Sequence, residues 1–82
     1  MKTRKFTEDQ KNRLYRIAFN FGEDLMPSDC ADIIARQFPK HHKDYGLREL
    51  ARLVKAMMEN CGFCCERREA LEEAMYLRKV FA

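Results

Sequence analysis

With 82 residues the chain has room for one domain, spanning residues 1–82. A chain this short buries roughly two-thirds of its unfolded surface, so its stability margin is thin. The composition is 46% hydrophobic and 35% charged, too apolar for a disordered chain, and three Gly and two Pro are too few for a turn-rich sheet protein. The net charge is only +3, because 13 acidic residues are interleaved with 16 basic ones. That balance is weak support for nucleic acid as a partner. No run reaches the ~18 apolar residues of a membrane span. The basic start Met1-Lys2-Thr3-Arg4-Lys5 leads into polar Thr7-Glu8-Asp9-Gln10-Lys11-Asn12 rather than an apolar core, which argues against a secretory signal. The expected setting is the cytoplasm, where the four cysteines are thiols rather than disulfides.

The first helix starts at Thr7, with Gln10 completing a capping box. Its apolar stripe reads Leu14, Ile17, Ala18 and Phe21, extended by Leu25, with Tyr15 and Phe19 off the centre. Gly22 ends or bends it near Glu23-Asp24. A second helix follows Pro27, with Ser28 as the expected N-cap and Asp29 and Asp32 near the positive end of the helix dipole. Cys30, Ile33, Ile34 and Phe38 share its inner face, and Pro39 stops it. Lys40-His41-His42-Lys43-Asp44 is a polar, basic connector, read as solvated loop rather than as ligands. Asp44 is one candidate cap for the next helix, and a position nearer Leu47 is the other.

The third helix carries the clearest pattern. Leu47, Leu50, Val54, Met57 and Cys61 recur at spacings of three and four, widened by Ala51, Leu53 and Met58. Arg48, Arg52 and Lys55 lie on the opposite face. Gly62 suits the left-handed position that closes such a helix. A fourth helix begins near Cys64 or Cys65, with Leu71, Ala74, Met75 and Phe81 expected inside and Leu77 at the margin. The short link makes the last two helices an antiparallel hairpin. The fold class expected is therefore all-α, a compact antiparallel bundle of four main helices with room for one or two short extra ones.

Two constellations carry chemistry. Cys61 and Cys64 have the spacing of half a zinc site, which Cys30, His41 or His42 could complete. A second such pair is missing, and packing thiols are the favoured reading. The sequence calls for no metal and no cofactor. No nucleophile–base pair, paired carboxylates or glycine-rich phosphate loop is recognisable, so no catalytic residue is assigned and no enzyme is expected.

Charge is the other signal. A basic face of Arg48, Arg52 and Lys55, with Lys40 and Lys43 beside it, and an acidic face of Glu23, Asp24, Asp29 and Asp32 are suited to protein–protein contact. The expected partner is a second copy or a larger protein. Such a contact between copies is heterologous and propagates into rings or filaments. The alternative is a nucleic-acid-binding regulator that uses the third helix and the connector, joined by Arg36. Some eight residues separate the second and third helices, from Pro39 to Gly46, against the three or four of a helix-turn-helix. Reversing Arg48 and Arg52 to Glu is expected to abolish protein assembly under the first reading.

The order Leu14-Tyr15-Arg16-Ile17, Leu25-Met26-Pro27-Ser28-Asp29-Cys30, a polar connector, Leu47-Arg48-Glu49-Leu50-Ala51-Arg52-Leu53-Val54 and Leu71-Glu72-Glu73-Ala74-Met75 resembles a death-fold domain, closest to a death effector domain. The resemblance implies homotypic assembly in signalling. It departs from the family at Arg78-Lys79-Val80-Phe81, which lacks the acid of the family's R-x-D-L motif, and at Ala35-Arg36, where an apolar pair is expected.

Overall fold

The computed structural model describes residues 5–38 and 45–80. Four helices follow in order: α1 (Glu8–Phe21), α2 (Pro27–Gln37), α3 (Leu47–Asn60) and α4 (Arg67–Val80). Among the described residues there is no strand, and the fold is an all-α bundle. The radius of gyration, 11.5 Å, is near the ~12 Å of a folded chain of this length. The most extensive packing joins α3 to α4. Helices α2 and α3 each touch the other three, so they form the central pair that α1 and α4 flank. No helix among the described residues is long and apolar enough to cross a membrane.

The ends of the helices follow from local chemistry. Thr7 Oγ1 accepts from the Gln10 N–H at 3.2 Å, and Gln10 Oε1 accepts from the Thr7 N–H at 2.9 Å. This reciprocal box satisfies two donors that the first turn leaves unpaired. At α2 the expected cap is corrected: Ser28 lies inside the first turn and Met26 is the N-cap. Pro27 takes the first helical position, where its missing N–H is no loss. Asp29 Oδ2 then accepts from the Met26 N–H at 2.8 Å. Helix α3 starts from Gly46, inside the range the sequence left open, and Asp44 lies outside the described residues. Its end is a Schellman motif. The Phe63 N–H donates to the Met58 carbonyl and the Gly62 N–H to the Glu59 carbonyl, both at 3.0 Å, with Gly62 at φ 86°.

The core is built on Leu14, Ala18, Cys30, Ile34, Leu50, Val54, Met57, Ala74 and Leu77, all buried. Three expectations from apolar periodicity are corrected. Phe21 is half exposed, because α1 ends there and the chain turns away at Gly22. Helix α4 starts at Arg67, after Cys64 and Cys65, and Phe81 lies outside the described residues. It also packs in a different phase, with Ala70, Ala74 and Leu77 inward while Leu71 and Met75 face out. Two alanines spaced by one turn let α4 lie close against its neighbours, which larger side chains would prevent.

One cluster joins three separate segments. The Phe6 ring stacks on Tyr45 with centroids 3.9 Å apart and meets Phe38 edge-on at 5.5 Å. The residues before α1 are thereby pinned to the end of α2 and the start of α3. The Phe6 N–H also donates to Glu49 Oε2 at 3.0 Å, which fixes a carboxylate in the first turn of α3 where the helix dipole favours it.

Candidate protein-binding surfaces

The outer face of α3 keeps two of its three expected cations free of the core. Arg48 and Arg52 are exposed. Lys55 is corrected: its Nζ donates to the Cys65 carbonyl at 2.8 Å and lies 3.6 Å from Glu59. It ties the last turns of α3 to the segment entering α4, so it is a structural cation rather than a contact residue. Lys40, Lys43, His41 and His42 lie outside the described residues.

Two cations that periodicity does not single out join Arg52. A cleft of about 240 Å³ opens between the Lys5–Phe6 segment, α1 and α3, and is lined by Lys5, Lys11, Tyr15, Glu49 and Arg52. The Phe6 N–H already engages the Glu49 carboxylate, and among the described residues Lys11 has a long 3.9 Å contact to exposed Glu8. The cleft therefore presents mostly positive charge. Nothing local in the sequence announces it, because the stacking of Phe6 on Tyr45 brings Lys5 to α3.

The four expected acids serve different ends. Glu23 and Asp24 are exposed on the α1–α2 turn. Asp29 is spent on the N-terminus of α2. Asp32 is exposed on α2 and acts across the helix boundary on half-buried Glu73 of α4. Partial burial pushes the Glu73 carboxyl above its usual range, and the like charges of Asp32 and then Glu72 add to it. The second acidic group is thus Asp32 with Glu72 and Glu73, a pairing across two helices that one helical period does not reveal.

All four cysteines are free. Cys30 is buried, and desolvation pushes its thiol up to about 12, with Cys61 and Cys65 nearby adding to the shift. Burial also raises Cys61 and Cys65; for Cys65, Glu69 adds to the rise while Lys55 opposes it. These three are protonated, packed thiols at neutral pH, and Cys64 is exposed. Among the described residues no three His, Cys, Asp or Glu side chains converge to hold a metal ion.

Large apolar side chains remain outside the core at two places. Phe19, Phe21 and Met26 are exposed around the α1–α2 corner, and Leu71, Met75 and Tyr76 are exposed on α4. Comparison with protein-family models, curated proteins and solved structures finds no match.

Proposed function

We propose that this chain is a non-catalytic protein–protein interaction module, acting in the cytoplasm, that binds a larger protein or a second copy of itself through charged helix faces. The observation that supports it is the separation of free charge. Arg52, Lys5 and Lys11 gather where α3 meets α1 and the N-terminal segment, with exposed Arg48 one turn before Arg52 on α3, while Asp32, Glu72 and Glu73 gather where α2 meets α4. Charge sorted in this way steers a partner and selects its orientation. The death-effector-like order of segments points the same way, toward assembly. The test is the paired reversal Arg48→Glu and Arg52→Glu, with folding checked by circular dichroism. The immobilised chain should retain an acidic protein partner, and the reversed variant should lose roughly tenfold or more in affinity. Equal retention by both chains rejects Arg48 and Arg52 as the contact.

A second reading has its own observation in the cluster of Lys5, Lys11 and Arg52 around one cleft, an arrangement that also suits phosphate. If nucleic acid is the partner, the same reversal lowers affinity for a DNA or RNA duplex and flattens its salt dependence.

A further inference from the structure

The outer face of α4 does not behave as leftover surface. Taking ~100° per residue, Ala70, Ala74 and Leu77 fix the inward direction. Leu71 and Met75 then share one side of the helix with Arg68, Arg78 and Lys79, all exposed. Glu69 and Glu73 fall on the other side. Met75 keeps 55% of its surface in water, although it stands in mid-helix, where a methionine normally packs. That side of α4 is therefore an apolar stripe with a mostly cationic border, in which exposed Glu72 stands beside Lys79 and Arg68.

A matching surface stands at the α1–α2 corner. Phe19 is 70% exposed, and Phe21 and Met26 are both more than half exposed. Between them, Glu23 and Asp24 are exposed on the turn. Gly22 makes this corner, with φ at 113°, a conformation that costs an L-residue with a side chain far more than glycine. A Cβ there would meet nothing within 4 Å, so the requirement is backbone geometry rather than space. The turn thus holds aromatic rings and carboxylates on one corner: apolar groups with an anionic border.

Two copies cannot pair α4 to α4 across their apolar stripes without conflict. A twofold axis between Leu71 and Met75 would set Arg68 of one copy against Arg78 of the other. The α1–α2 corner has the opposite sign and the same apolar character. The helices that carry the two surfaces, α1 and α4, flank the central pair α2 and α3.

We infer that the α1–α2 corner of one copy, through Phe19, Phe21, Glu23 and Asp24, docks on the outer face of α4 of a second copy, through Arg68, Leu71, Met75 and Arg78. The contact is heterologous, so each copy keeps one surface unused and the association propagates. Far fewer residues take part than the roughly 20–30 a side of a stable complex, so association is weak and depends on concentration. This rests on the reading of the chain as a protein-binding module, and it leaves Arg48 and Arg52 to a different partner.

The experiment uses two charge-reversed chains, Glu23→Lys with Asp24→Lys, and Arg68→Glu with Arg78→Glu, each compared with the unaltered chain by light scattering over a range of concentrations. The unaltered chain should grow beyond one chain mass as concentration rises. Each variant alone should stay monomeric. Mixed, they should associate again, because the intact α4 face of one meets the intact corner of the other and the two reversed surfaces are themselves opposite in charge. Phe19→Ser and Met75→Ser, which change no charge, should each stay monomeric alone and, mixed, should stop at two chains, because only one intact corner and one intact α4 face remain. Monomers throughout, either altered chain associating like the unaltered one, or a mixture that forms no pair each overturn the inference. Arg48→Glu with Arg52→Glu separates it from the broader reading. That variant should self-associate normally; if it is monomeric while the α4 variants still assemble, this contact is wrong and the charged face of α3 is the one that copies use.

Discussion

Helices α3 and α4 have the same length, 14 residues each, and form the most extensive packing in the bundle, yet they use their apolar residues in opposite ways. Helix α3 turns Leu50, Leu53, Val54, Met57 and Met58 inward and leaves arginines outside. Helix α4 turns Ala70, Ala74 and one large residue, Leu77, inward and leaves Leu71 and Met75 outside. The lesson is that close packing selects for size as well as hydrophobicity. Once α3 has filled the centre with large side chains, the helix beside it fits best through small ones. Most of its own large side chains, Leu71, Met75 and Tyr76, then become surface, available to another molecule.

The sharpest way to break the comparison is to make the same change in both helices. Met57 is fully buried and Met75 is mostly exposed. Met57→Ala should cost about 3 kcal/mol, the usual penalty for emptying a methionine site in a packed core. Met75→Ala should cost less than about 0.5 kcal/mol. Urea unfolding of both variants, at dilution where the chain is monomeric, checks the pair. Equal losses would mean that the two faces are equally buried.

A smaller effect sharpens the contrast between the two cations of α3. Lys55→Met removes the hydrogen bond to the Cys65 carbonyl that ties α3 to the start of α4. The loss should be about 1 kcal/mol, the value of one partly exposed hydrogen bond. Arg52→Met on the outer face should stay within about 0.5 kcal/mol. The same denaturation experiment reads both, and the reverse order would return Lys55 to the contact surface.

The smallest effect lies between α2 and α4. Glu73 has a carboxyl raised above its unfolded value, so the folded state holds its proton more tightly. Below the ordinary carboxylate range both states are protonated and the site is not penalised. As pH rises through the raised folded value, the ionised form is partly desolvated and meets Asp32 and Glu72, and stability falls. Glu73→Gln should therefore add a few tenths of a kcal/mol at neutral pH, in line with like-charge pairs on helices, and add nothing in acid. Thermal unfolding of the two chains at neutral and acid pH measures it, and a variant that is less stable at neutral pH would contradict it.

Local chemistry explains why some of this is legible from the residues in order. The Thr7–Gln10 box, the Gly62 terminus and the α3 stripe each depend on residues within a turn or two of one another. The cap of α2 is also local, but the oxygen of Ser28 competes with the geometry of Pro27, and proline wins by fitting the first helical position. The phase of α4 is not legible from hydrophobicity, because alanine ranks below leucine and methionine while fitting a narrow gap better. The cationic cleft depends on Phe6 stacking on Tyr45, residues 39 apart in the chain, and no helical period spans that distance. Lys55 reads as an outer cation because its partner is a backbone carbonyl ten residues on. The exposed aromatics at the α1–α2 corner carry a residue-type signal, since Phe19 lies off the α1 stripe. The matching face on α4 becomes visible only when its phase is known.

The most direct test of the account is the mass of the unaltered chain in solution, measured by light scattering across concentration at low and at high salt. A chain whose charged and apolar surfaces fit between copies should grow in mass with concentration, and added salt should reduce that mass by screening the contact. A mass of one chain at every concentration and salt level would contradict it.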